Sequence, residues 1–341
     1  MNILNSVPNF TIPLLRERIL PLLTVQSKKI VLIALLAISL LAVCFYYISR
    51  SYLRYKLLKD IQAPNIEKLN LGGKWYVTNA DIKNLPRSLK ELSLRACQLT
   101  DPAIKDLPNG LKKLDLSLCS HLTDAAIKDL PSGLEVLELI RCDQLSDAII
   151  KDLPQELKSL NLSCNNQLTC STIRNLPNKL IHLNLVGLNV LKDSHIKDLP
   201  RGIEELFLSS CPQLTDAAIK DLPNGLKKLF LSKCSFTDAA IKDLPKGLKK
   251  LALSACGVTD TAIKDLPKGL IRLDLMNCKK ITNKAIKELP TGLEELNLSD
   301  CNITDAAIKD LPKGLKKLCL FSTKITNAAI KNLPKNLTVI R

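Results

Sequence analysis

The chain has 341 residues, a formal charge of +16 and an apolar fraction of 46%, yet only 4% of it is aromatic. Its 12 glycines leave no Gly-rich phosphate loop, since most sit in one recurring turn. Its basic residues lack the dense aromatic interleaving of a nucleic-acid surface.

Residues 1–29 read as an N-terminal tail, cytosolic or external. Residues 30–48, IVLIALLAISLLAVCFYYI, run for 19 positions without a charge. At roughly 1.5 Å per residue they nearly cross a hydrocarbon core of about 30 Å, which predicts one transmembrane helix and a single-pass membrane protein. A cleaved signal peptide fits poorly, because the run is too long and no A-x-A site follows it. Acylation at LAVC, 41–44, is disfavoured by the bulk of Val43 and by the apolar Phe45-Tyr46-Tyr47 that follows. Arg16, Arg18, Lys28 and Lys29 precede the run, and Arg50, Arg54, Lys56 and Lys59 follow it, so basic residues leave the orientation open. Residues 49–63 predict a juxtamembrane helix. Leu53, Leu57, Leu58 and Ile61 share one of its faces and would cap what comes next.

Residues 64–341 are a repeat. Leu-Pro pairs begin at 85, 107, 130, 153, 176, 199, 222, 244, 266, 289, 311 and 333, always 22 or 23 residues apart. After each comes the frame L-x-x-L-x-L-x-x-C, as in Leu248, Leu251, Leu253 and Cys256. In L-x-L the two leucines point to one side of a strand, so stacked copies build a parallel sheet on a leucine core. The stretch TDAAIKDLP occurs unchanged at 123–131, 215–223, 237–245 and 304–312. Thr123 or Asp124 would cap a short helix, Ala126, Ile127 and Leu130 would face the core, and Pro131 would end it. The Lys of each copy recurs with the unit, so the excess charge of this region reads mainly as a solvated face. At the other end the last frame, from Leu337, is truncated, leaving an edge that frays or pairs with another molecule.

This frame resembles the leucine-rich repeat, with about 12 repeats. Cys at the ninth position followed by x-L-T-D resembles the cysteine-containing subfamily known from F-box proteins. The L-P-x-x-L lead into each strand resembles the repeats of secreted bacterial effectors. The resemblance implies an α/β solenoid, a horseshoe with a parallel sheet on the concave face and short helices on the convex face. It also implies a protein-interaction scaffold rather than an enzyme, with host interaction suggested by the effector-like repeats. An adaptor in ubiquitin ligation is the alternative, although no F-box is recognisable in residues 1–63. An enzyme inhibitor similar to ribonuclease inhibitor and an adhesive surface protein are further readings.

The ninth position is Cys97, Cys119, Cys142, Cys211, Cys234, Cys256, Cys278 and Cys301 in eight of eleven complete frames, with Asn165, Leu188 and Thr323 in the others. Ligands on successive coils point in parallel rather than around a metal, and the same vectors suit a disulfide torsion poorly. A structural ladder of reduced, buried thiols is expected, on the side of the membrane that faces a reducing cytoplasm, the cell's own or a host's. His121, His182 and His195 have no catalytic partner implied by the frame. No catalytic residue, cofactor, metal, nucleic acid or small-molecule substrate is expected. The sequons at Asn161 and Asn297 are by-products of the strand grammar L-N-L-S.

Binding is expected at the third, fifth and seventh frame positions, on the concave face. There Lys228, Lys250 and Arg272 form a basic stripe bracketed by Glu205 and Glu295, and Phe207 and Phe230 stand on adjacent strands. An aromatic pair beside basic residues is an interface anchor, and an acidic protein segment is the expected partner.

Overall fold

A computed structural model describes residues 25–61, 65–169 and 173–341. Arg16 and Arg18, most of the expected tail, residues 62–64 and Cys170 lie outside the described residues. The chain divides into two units, residues 1–64 and 65–341.

The described part of the first unit is one helix, α1 (Val25–Ile61), of 37 residues. It runs without a break through both the expected transmembrane segment and the expected juxtamembrane helix, so 49–61 is not a separate element. Among the described residues no helix is long and apolar enough to cross a membrane. The continuous run of described uncharged side chains before Arg50 spans Ala37–Ser49, about 20 Å at roughly 1.5 Å per residue, short of a core of about 30 Å. The side chains of Ile30–Ile33, Leu35 and Leu36, which would complete the run, are outside the described set.

In the second unit, thirteen strands form one parallel sheet in chain order. They are β1 (Lys68–Asn70), β2 (Glu91–Ser93), β3 (Lys113–Asp115), β4 (Val136–Glu138), β5 (Ser159–Asn161) and β6 (His182–Asn184). After them come β7 (Glu205–Phe207), β8 (Lys228–Phe230), β9 (Lys250–Ala252), β10 (Arg272–Asp274), β11 (Glu295–Asn297), β12 (Lys317–Cys319) and β13 (Thr338–Ile340). Register is set by the leucines: Leu206, Leu229, Leu251 and Leu273 pair across neighbouring strands and are at most 1% exposed. A slip of one residue would turn each of them to solvent, which is why the pairing is unambiguous.

Opposite the sheet, the coils carry helical turns wherever the connecting residues are fully described. Thr123 is the N-cap of Asp124–Lys128, its hydroxyl accepting from Ala125 N–H at 3.3 Å. Asp124 is no second cap for its own helix. Its carboxylate accepts both the N–H and the hydroxyl of Ser146, the cap of the next coil. The same bond ties Asp101 to Thr123, Asp193 to Thr215, Asp238 to Thr259 and Asp260 to Thr282. Threonine therefore caps within a coil while aspartate joins successive coils. Burial raises the Asp238 carboxyl, but hydrogen bonds from Thr259 and Thr261 outweigh it and hold the group below the usual aspartate range.

The eighth frame position is left-handed although few copies have glycine there: φ is +56° at Ala96, +61° at Leu118 and +58° at Lys233. An L residue in this region costs about 1–2 kcal/mol. The sheet ladder holds it there, with Ala96 N–H donating to Ser117 O and Leu118 N–H to Ile140 O, both at 2.8 Å.

The eight ladder cysteines are buried and unpaired, and each thiol donates to the sixth-position carbonyl of the coil before it. Cys97 reaches Leu71 O at 3.3 Å, Cys119 reaches Leu94 O at 3.2 Å, and Cys301 reaches Leu275 O at 3.1 Å. Cys142, Cys211, Cys234, Cys256 and Cys278 repeat the contact at 3.2 to 3.5 Å. The ladder thus ties each coil to the one before it, and six of the eight carbonyls also accept a backbone N–H three residues on, as Leu94 O does from Cys97 at 3.1 Å.

Candidate binding face

Alternation along each strand turns the third and fifth positions away from the leucine core onto the open sheet face. The seventh position is mixed: Arg95, Met276 and Phe321 are exposed, but three serines are not. Ser117, Ser163 and Ser299 are buried, and the Ser117 and Ser299 hydroxyls accept the N–H of Ile140 and Phe321 on the next coil. In those coils the side chain faces in toward the turn rather than out from the sheet. Asn161 and Asn297 accept the N–H of Ser163 and Ser299 at 3.0 Å, which accounts for asparagine in the L-N-L-S grammar.

The expected site residues come together on β7 to β11. Register sets Glu205 beside Lys228, Lys228 beside Lys250, Lys250 beside Arg272, and Arg272 beside Glu295. Glu205 binds Lys228 at 2.8 Å and also contacts His182 Nδ1 at 3.1 Å, while Glu295 binds Arg272 at 3.1 Å. These pairs are partly exposed and each contributes tenths of a kcal/mol. Their larger effect is to tie down both ends of the stripe.

The second frame position, which periodicity assigns to the strand's lead-in and not to the open face, sharpens the picture. Lys227 pairs with Glu204 at 2.6 Å, but the coil after Lys249 carries Ile271 where a glutamate would be needed. Among the described residues neither Lys249 nor Lys250 meets a carboxylate. The uncompensated positive charge is therefore centred on β9. That signal was readable from the second and third columns taken together.

Phe207 and Phe230 are stacked, with centroids 4.2 Å apart and planes inclined by 4°. Adjacent parallel strands lie about 4.8 Å apart, so identical side chains in register fall naturally into such a stack. Both rings are half-buried. The next residue in the column, Ala252, is only 7% exposed and forms a floor beside them.

Toward β1 the face changes character. Lys68 and Glu91 pair at 2.7 Å, and Lys68 holds the Glu91 carboxyl below its ordinary range. Burial pushes the Glu138 carboxyl up, opposed by a hydrogen bond from Asn161. Acids and bases here largely answer one another, which leaves β7–β10 as the strongly charged part.

A family model described as a leucine-rich repeat matches residues 291–311, the turn, strand and cap around β11. No curated protein matches the sequence. Among solved structures, an internalin from Listeria monocytogenes aligns over 81% of this chain and 86% of its own, at TM-score 0.54 and 18% identity. The mouse RP105/MD-1 complex aligns over 78% of this chain and 48% of its own, at TM-score 0.56 and 21% identity. The yeast Rad7 and Elc1 complex aligns over 93% and 98%, but at TM-score 0.48 and 17% identity the likeness is too low to bear on function. Taken with a frame that repeats in register across the thirteen-stranded sheet, these matches make the chain a leucine-rich-repeat protein.

Proposed function

We propose that the protein is a non-catalytic interaction scaffold that docks an acidic protein segment on the face of β7–β10. The observation that carries this reading is the Phe207–Phe230 stack near Lys250, which meets no carboxylate among the described residues. Aromatic rings and basic side chains at the centre of a patch, with paired charges at its rim, are the composition of an interface anchor. The mouse RP105/MD-1 complex, similar in fold, is itself a protein assembly. Exchanging Phe207 and Phe230 for Ala together should weaken capture of an acidic partner by about 30-fold, the loss of one hot spot of about 2 kcal/mol. Thermal unfolding should be unchanged. Capture at wild-type strength by this variant rejects the site.

Membrane anchoring through residues 30–48 belongs to the same proposal. It is supported by the charge-free run within α1 and by the exposure of Leu41, Phe45 and Ile48, which are 69%, 74% and 69% accessible. The full chain should remain in the membrane pellet after an alkaline carbonate wash, and a chain lacking 30–48 should not. Release of the full chain by carbonate refutes the anchor. A reducing compartment around the repeats is the setting that suits eight unpaired thiols.

A further inference from the structure

The aromatic column on the binding face is one ring short. Position five is Phe207 on β7, Phe230 on β8, Ala252 on β9 and Asp274 on β10, and the four are neighbours in register. The two rings stand parallel, so the outer face of Phe230 is directed along the column toward β9. There the side chain is a single methyl, nearly buried by its neighbours. Strands two apart are separated by roughly 10 Å. With carbon contacts at about 3.5–4.0 Å, the space between Phe230 and Asp274 accepts one planar group of ring thickness above Ala252.

The surroundings select what that group is. Lys250 stands two residues before Ala252 on the same strand and has no carboxylate partner among the described residues, while Arg272 stands beside it. Lys228 flanks the far side. A guanidinium would meet these three positive charges. The nearby acids are engaged: Glu205 binds Lys228, Glu295 binds Arg272, and Asp274 accepts the N–H of Met276 at 3.0 Å. A neutral ring avoids that repulsion. An extended chain places alternate side chains about 6.8 Å apart, which lets acids flanking the ring reach Lys228 and Lys250.

We infer that the slot above Ala252 receives an aromatic side chain of the partner, carried by an acidic segment and stacked as the third ring on Phe207 and Phe230. This rests on the acidic-segment reading and narrows it to a sequence class, a Phe, Tyr or Trp with Asp or Glu two residues away on either side.

The test uses the full chain and short dye-labelled peptides of Asp and Glu that differ only at one central residue, Phe, Leu, Ser or Arg, read by fluorescence anisotropy. The Phe peptide is expected to bind about tenfold more tightly than the Ser peptide, the scale of one added aromatic contact. Ala252→Phe fills the slot from within, so it should abolish the preference for the Phe peptide over the Ser peptide. Phe230→Leu removes the wall and should erase the preference by another route, which keeps the test decisive if one variant folds poorly. Equal binding of the Phe, Leu and Ser peptides overturns the slot and leaves the acidic-segment reading standing. Tightest binding of the Arg peptide overturns it in favour of a cation held by Asp274. If none of the acidic peptides binds, the acidic-segment reading fails and the slot falls with it.

Discussion

Alkylation of the native protein at neutral pH is expected to leave the eight ladder cysteines unmodified while Cys164 and Cys319, which are half-buried, react. Burial pushes the thiols of Cys119, Cys211, Cys256 and Cys301 up to about 12, from an ordinary value near 9, and those of Cys97 and Cys142 up to about 11. The same cause raises Cys234 and Cys278. The thiolate is the nucleophile, so a rise of this size lowers its fraction by about a hundred- to a thousandfold. Backbone hydrogen bonding at the sulfur opposes the rise without cancelling it. Mass spectrometry after a short exposure to iodoacetamide reads the outcome directly. Repeating the exposure in guanidinium without reductant should label all eight. Native labelling of the ladder at the rate of Cys164 would show that it is open to solvent, and failure of half the ladder to label in guanidinium would show disulfides.

Replacing Asn165 by Ala should lower stability by about 3 kcal/mol, more than a hundredfold in the unfolding equilibrium. Asn165 takes the ninth position in its coil and is completely buried. Its amide donates to Leu139 O at 2.7 Å and Leu162 O at 2.8 Å, and its carbonyl accepts from Cys142 N–H at 2.7 Å. Truncation leaves three buried backbone groups without partners, each costing about 1–3 kcal/mol before the structure relaxes. Cysteine at this position elsewhere meets the carbonyl of the preceding coil and offers no amide oxygen to a backbone N–H. Asn165→Cys should therefore recover part of the loss through Leu139 O and leave Cys142 N–H unmet. Guanidinium unfolding of the two variants gives the comparison. Equal stability of wild type and Asn165→Ala would mean that water reaches the turn and the ladder is not sealed.

Much of this was legible before any coordinates. Leucines at the first, fourth and sixth positions had to face one side, which placed Phe207 beside Phe230 and bracketed Lys228 and Arg272 with their acids. The ladder followed from one recurring cysteine per coil. Other features depend on the next coil, which no single frame contains. Asp124 reads as a helix cap within its own repeat, yet its carboxylate is taken by Ser146. Ser117 and Ser299 read as surface residues, yet they hold the N–H of the following coil.

The four identical copies of TDAAIKDLP do not all wind alike. TDAAIKDLP forms an α-helical turn at Asp124–Lys128 and at Asp238–Lys242, but a 3-10 turn at Asp216–Asp221 and at Asp305–Asp310. The sequence by itself determined that each copy would be a capped helical turn with Ala and Ile inward, because cap chemistry and apolar spacing are local. Only the tertiary structure decided how tightly each turn winds and where charge is left unpaired. Both are settled by the neighbouring coils, which differ where the nine residues do not.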